Sequence, residues 1–323
     1  MALAHSWRDR GGVVTFVTAC GNERLLRHLQ DAANEVLPLR QPHPDPDDQE
    51  ALLRVLAIDP EAWVALDGYH FDSGYQARVR QTGHRLLVID DIAHLERYTA
   101  DVILNQNILA EQLVYYCNPD ASLLLGTRYA LLRPEFLLRC SWQRDTRLAA
   151  RHILVTLGGS DPDNVTLKVL RALRQLDRFP VETRIVVGPA SEHLEELEAA
   201  VRILPGETRI LVDVNDMPDL MAWADLAVSA GGSTCWELAF MGLPNVVVVL
   251  SDDQRGIGDG LAAEGIALNL GWHEKVTEDQ IAEALGGLVE DRPRREAMSA
   301  RGRQLVDGRG AERVVAALLG KVG

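Results

Sequence analysis

The sequence predicts two α/β domains, each a doubly wound parallel sheet, and three observations lead there. Strand-length apolar runs alternate with helical stretches through the whole chain; the composition turns polar once, near the middle; and two strands of the second half run into glycine turns that open helices. A length of 323 residues leaves room for two such domains, each with its own core.

Taken in order, residues 2–10 read as a helix, residues 13–18 as a short β-branched run and residues 22–35 as a second helix. Doubly wound domains open with a strand, so a further strand is expected ahead of the first helix. Apolar strands follow at residues 63–66, 85–89, 102–104 and 122–125, separated by helical or turn-rich stretches. Between residues 137 and 151 Arg, Ser, Gln and Asp replace the periodic pattern, which puts a boundary near residue 145 and predicts domains of residues 1–145 and 146–323. The second series has strands at 152–157, 183–187, 209–212, 226–229 and 245–250, with helices from Asp163, Ser191, Met217, Thr234 and Glu278. Such regular alternation predicts right-handed βαβ units, and two domains of this kind are expected to face a cleft.

The charge balance limits the partners. Thirty-three basic against 47 acidic residues give a net charge of −14, which argues against a nucleic-acid or anionic-membrane surface. Any phosphate must therefore meet a local site. Cys20, Cys117, Cys140 and Cys235 have neither zinc spacing nor a disulfide pattern, and a reducing cytoplasm is expected. No stretch reads as a membrane span or signal peptide.

The sharpest motif is Ser229-Ala-Gly-Gly-Ser-Thr-Cys-Trp-Glu237, a strand entering two glycines and then a helix. Gly231 and Gly232 permit close backbone approach, Ser233 and Thr234 can cap the helix, and free N–H groups there suit a diphosphate. Glu237 is placed to accept hydrogen bonds from ribose hydroxyls or to act as an N-terminal acid of the helix. A second glycine turn, Gly158-Gly159-Ser160, also follows a strand; Asp161 reads as the next N-cap and Pro162 as the first helical residue. Between the two turns, the strand end from Val214 to Met217 offers backbone groups to a base edge.

In the first half Asp67, His70, Asp90, Asp91, His94, Asn105 and Asn107 all follow strands, where an α/β domain presents hydrogen bonds to a sugar; solvated loop caps have the same composition. Tyr129 and Arg133 lie where the chain leaves the first domain, and ligand contact or packing accounts for them equally.

In combination, Asp67-Gly-Tyr69, Ile89-Asp-Asp91, residues 101–107, Tyr129-Ala-Leu-Leu-Arg-Pro-Glu-Phe136, Leu157-Gly-Gly-Ser-Asp161 and residues 229–237 resemble the UDP-2,4-diacetamido-2,4,6-trideoxy-β-L-altropyranose hydrolases of pseudaminic acid biosynthesis, relatives of the family 28 glycosyltransferases. The resemblance spans essentially the whole chain. It implies a GT-B architecture of two Rossmann-like domains, with a UDP-sugar as the small-molecule substrate and no cofactor. It also implies backbone near Val214 and Met217 on uracil, Gly231 to Ser233 on the diphosphate, Glu237 on ribose, and Gln254 as a match to a family Asn-Gln that here reads Asp252-Asp253-Gln254. The family's base is a histidine of an upstream Gly-x-Gly-His turn that residues 1–323 do not contain. His5, on the following helix, is not its match, so Asp67, His70 and Asp91 are the stand-ins. The expected reaction is hydrolysis at the anomeric carbon, with an inverting glycosyltransferase and a non-catalytic nucleotide-sugar-binding protein as the rivals. Asp90-Asp91 and Asp252-Asp253 read as loop caps, and no metal is expected.

Overall fold

The structure, a computed structural model, describes residues 1–159, 161–188, 191–204, 206–212, 214 and 216–320. By its contacts the chain forms two compact units, Met1–Pro134 with Arg309–Gly323, and Glu135–Gly308.

The first unit runs α1 (Ala2–Arg8), β1 (Thr15–Thr18), α2 (Glu23–Ala32), β2 (Glu35–Pro38), α3 (Pro46–Leu56), β3 (Trp63–Asp67), α4 (Ser73–Gln81), β4 (Arg85–Ile89), β5 (Val102–Asn105) and β6 (Ser122–Leu125). Side-chain caps start α2, α3 and α4: Asn22 accepts from the Leu25 N–H, Asp45 from Asp47 and Asp72 from Tyr75. All strand pairs are parallel, in two separate sheets, β1-β2 and β3-β4-β5-β6. The stretch expected to be helical over 22–35 stops at Ala32, because Glu35-Val-Leu-Pro38 pairs with β1. A four-residue strand directly after a helix is too short to show its own period.

A turn, α5 (Pro134–Leu137), leads to the second unit: β7 (His152–Thr156), α6 (Val165–Leu173), β8 (Glu182–Val187), α7 (Leu194–Val201), β9 (Thr208–Val212), α8 (Met217–Trp223), β10 (Leu226–Ala230), α9 (Thr234–Phe240), β11 (Asn245–Val249), α10 (Arg255–Ala263), β12 (Ala267–Trp272), α11 (Glu278–Glu290) and α12 (Arg292–Leu305). One parallel sheet orders these strands β12-β11-β10-β7-β8-β9. Every residue of β10 and β11 is buried, as expected of parallel strands covered on both faces. The sequence reading does not include β12: Ala-Leu-Asn-Leu-Gly-Trp carries Asn and Gly, poor strand formers, and pairing with β11 makes it a strand.

The last helix, α13 (Gly310–Leu318), belongs to the first unit, whereas the sequence places the boundary near residue 145 and the C-terminus with the second half. Val314 and Leu318 of α13 pack on Leu87, Val102, Leu104 and Leu124, with Leu3 and Trp7 of α1 alongside. Gly310 admits the approach, since a Cβ there would lie 2.1 Å from the Ala130 carbonyl oxygen.

Candidate functional site

The order of the second sheet defines a switch point. Connections wind outward from β7 through β8 to β9, then resume at β10 on the other side of β7. Thr156 of β7 lies opposite Ser229 of β10, so the turns beginning at Gly158 and Gly231 leave the carboxyl edge of the sheet side by side. In doubly wound sheets that crevice receives the ligand.

Gln254 shapes the second of these turns. Its Oε1 accepts from the Gly231 N–H at 3.2 Å and from the Leu250 N–H at 3.0 Å, clamping the loop after β10 to the loop after β11. Two expectations change accordingly: Gln254 is a brace through its carbonyl oxygen, and the Gly231 N–H is already occupied. Among the described residues the N–H groups of Gly232, Ser233 and Thr234 make no hydrogen bond, so these donors remain for an anion. Ser233 is exposed and its side chain does not cap α9. Glu237 is half-buried in the first turn of that helix.

A buried polar layer supports the turn from below. Asn245 Nδ2 donates to Ser229 Oγ at 2.7 Å, and Cys235 Sγ donates to the Ala230 carbonyl at 3.2 Å. Burial pushes the Cys235 thiol up to about 12, which removes it as a nucleophile.

The first turn differs from its sequence reading at Asp161. Helix α6 starts at Val165 rather than Pro162, because Asp161 and Asn164 both take positive φ, 41° and 49°, and insert an extra turn. The Asp161 carboxylate still serves the helix, accepting from the Val165 N–H at 2.9 Å and the Thr166 N–H at 2.8 Å. Gly158 has φ 96° and, like Gly159, is exposed. Gly188, directly after β8, is a support outside the two glycine motifs: a Cβ there would lie 1.9 Å from the Gly159 carbonyl oxygen. Its signal was a third glycine directly after a strand. Ser160 lies outside the described residues. Val214 is half-buried, and Met217 is 7% exposed, so its side chain belongs to the core.

In the first unit the carboxyl ends of β4 and β5 bring Asp90, Asp91, His94, Asn105 and Asn107 together. Asn105, expected to meet a sugar, is fully buried; its Nδ2 donates to Tyr115 Oη at 2.8 Å and its Oδ1 accepts from the Asn107 N–H at 2.8 Å. It braces the loop. Asn107 and Asp91 are half-buried, with Asn107 Nδ2 3.4 Å from the Asp91 carbonyl oxygen. Asp90 is 1% exposed and accepts from Ile92 N–H at 2.8 Å, Ala93 N–H at 2.6 Å, His94 Nδ1 at 2.5 Å and Tyr98 Oη at 2.5 Å. Burial, then the bond to Asp90, pushes the Tyr98 hydroxyl well above its ordinary range, so it remains a donor.

Asp67 ends the neighbouring strand β3, paired with Ile89, and its loop reaches the cluster through Tyr69, whose ring lies 5.3 Å from that of His94. The Asp67 carboxyl lies above the usual aspartate range, first because surrounding protein desolvates it, partly offset by the Met1 amine. The exposed His70 ring tilts against Phe71, centroids 4.0 Å apart, and folds back over Gly68. Tyr129 packs on the core shared with α13, its ring 5.2 Å from the Arg128 guanidinium, while Arg133 is half-buried further along. Among the described residues no group of three or more His, Cys, Asp or Glu is placed to hold a metal ion, and no helix is long and apolar enough to cross a membrane.

Comparison with known proteins locates this geometry. The chain is 33% identical over 206 residues to the spore coat polysaccharide biosynthesis protein SpsG of Bacillus subtilis (strain 168), an alignment covering 63% of this chain and 60% of that protein. It is 33% identical over 183 residues to the UDP-N-acetylglucosamine--N-acetylmuramyl-(pentapeptide) pyrophosphoryl-undecaprenol N-acetylglucosamine transferase of Methylococcus capsulatus (strain ATCC 33009 / NCIMB 11132 / Bath), covering 55% of this chain and 51% of that enzyme. The crystal structure of Acinetobacter baumannii MurG aligns over 99% of this chain and 94% of its own, with TM-score 0.69 at 19% identity. That likeness is one of fold, and it makes the architecture GT-B, two Rossmann-like domains. Residues 152–313, which carry both glycine turns and make up half of the chain, match the glycosyltransferase family 28 C-terminal domain, and the chain belongs to that family.

Proposed function

We propose that the chain is a nucleotide-sugar hydrolase that cleaves UDP-2,4-diacetamido-2,4,6-trideoxy-β-L-altropyranose to UDP and the free sugar, in pseudaminic acid biosynthesis. The observation that carries the nucleotide part is the pair of glycine turns at the switch point of the second sheet, with the Gly232, Ser233 and Thr234 N–H groups free among the described residues. Donors held in place there stabilise the charge that develops on a departing diphosphate, so the leaving group needs little acid assistance. Attack by water at the anomeric carbon then needs a base. The hydrolytic part rests on the first-half motifs, Asp67-Gly-Tyr69, Ile89-Asp-Asp91 and residues 101–107. The chain spans 60% and 51% of the curated relatives described above, and the UDP-sugar in the name of the transferase supports the nucleotide-sugar part of this reading.

Phosphorus NMR of the UDP-linked diacetamido-trideoxy-altrose with the 323-residue chain tests it. Growth of the UDP resonances with free sugar accumulating is the expected result. A substrate spectrum that stays unchanged at stoichiometric protein overturns the hydrolase reading. A second reading, an inverting glycosyltransferase in which an acceptor hydroxyl replaces water, draws on the transferase from Methylococcus capsulatus. UDP release that requires an added acceptor selects it.

A further inference from the structure

The segment from Leu226 to Trp272 carries the Gly232, Ser233 and Thr234 N–H donors and a single lysine or arginine, Arg255. A diphosphate is multiply charged, and neutral amides answer that charge only in part. The same segment adds acid: Asp252 and Asp253 are exposed on the loop after β11, and Glu237 is half-buried in the first turn of α9. In a chain of net charge −14, an anion bound at this turn needs a cation close by.

The strand order puts Arg255 there. β11 lies beside β10, and adjacent strands are about 4.8 Å apart, so the loop after β11 borders the turn after β10. The approach is close: a Cβ on Gly231 would lie 3.0 Å from the Gln254 carbonyl oxygen, and Gln254 Oε1 accepts from the Gly231 N–H at 3.2 Å. Arg255 is the next residue and opens α10. Its guanidinium lies over the Trp272 ring, 4.2 Å from the centroid, and its Nε donates to Asp252 Oδ1 at 2.7 Å. Trp272 ends β12, paired with Val249, and its Nε1 donates to Glu274 at 3.1 Å. One face and one edge of the guanidinium are thus taken. Its terminal nitrogens make no hydrogen bond among the described residues, and the side chain is half-exposed, so a planar fork of donors is left for a ligand.

We propose that Arg255 is the cationic contact for the nucleotide's β-phosphate, with Trp272 and Asp252 as the positioning residues that hold its guanidinium beside the turn. The proposal rests on the nucleotide part of the reading above and deepens it. The crevice between β7 and β10 takes the nucleoside end, so the second phosphate lies toward β11, on the side of Arg255. A guanidinium at that phosphate also offsets the charge that builds on the departing diphosphate.

Titration calorimetry of the 323-residue chain with UDP and with UMP tests this. UDP is expected to bind more tightly than UMP. Arg255→Met is expected to weaken UDP at least about tenfold while leaving UMP within about twofold, so that the preference for a second phosphate collapses. UDP affinity within about twofold of the unmodified chain overturns the proposal. Equal weakening of UDP and UMP also overturns it, since that assigns Arg255 to the shape of the loop. If the unmodified chain binds neither nucleotide, the nucleotide reading fails by itself, and inorganic pyrophosphate decides on Arg255. The Arg255 Nε resonance, identified as the one missing from the proton–nitrogen NMR spectrum of Arg255→Met, is expected to shift as pyrophosphate is added; an unmoved resonance overturns the proposal.

Discussion

The two units are both built from parallel strands, with different results. In the second unit β7, the first strand, sits in the middle and pairs with β8 on one side and β10 on the other. The glycine turn at its end is therefore flanked on both sides, with Gly188 after β8 close against Gly159 and the turn after β10 alongside. In the first unit, among the described residues, β1 pairs only with β2 and β3 only with β4, and no strand joins these two sheets. All four residues of β1 are half-exposed, whereas four of the five in β7 are buried. Helices carry more of the cohesion there, with α1 and α13 packed on the β4–β6 face. A parallel sheet supports a ligand turn most firmly where a central strand is paired on both edges.

Hydrogen exchange is the most direct way to break that comparison. Amides of β7 and β10 should exchange at least about a hundredfold more slowly than those of β1 and β3, because they open only with the whole sheet. Equal rates across the two units would remove the contrast. Leu318→Ala should cost about 2 to 5 kcal/mol by leaving a cavity under α13, and should melt the first unit ahead of the second in calorimetry. A single unchanged transition would show that the helix contributes little. Gly188→Ala should cost about 1 to 3 kcal/mol, since its Cβ meets backbone rather than a movable side chain, and should weaken UDP binding measured by titration calorimetry. Gln254→Ala should lower UDP affinity by about tenfold, having released the Gly231 and Leu250 amides from one carbonyl. Unaltered affinity would mean that the turn holds its shape without the clamp.

The smallest effect concerns pH. Asp67 binds its proton more tightly folded than unfolded, so protonation favours the folded state. Its contribution is present below the ordinary aspartate pKa and is lost as pH rises through the raised value. Asp67→Asn should flatten the stability profile over that window in urea melts at stepped pH, leaving β10 and its turn unaffected.

Both glycine turns were legible in the sequence, because a strand that ends in glycines before a helix is a local pattern. What those glycines do was not legible. Gly231 reads as an anion donor, yet its N–H donates to Gln254, distant in sequence. Asp161 looked like a simple N-cap, and its carboxylate does cap the helix, but across a turn set by two positive φ values. Asn105 and His94 read alike in the sequence, as sugar contacts or loop caps; the structure makes Asn105 a fully buried brace and holds His94 against a buried carboxylate.

The sequence by itself determined the α/β class, most of the strands and both turns, since these depend on periodicity and on residues a few positions apart. Only the tertiary structure decided the strand order, the return of α13 to the first unit, and which polar atoms are already bonded. Those outcomes depend on hydrogen bonds and apolar contacts between segments far apart in the chain, where local pattern carries no information about the partner.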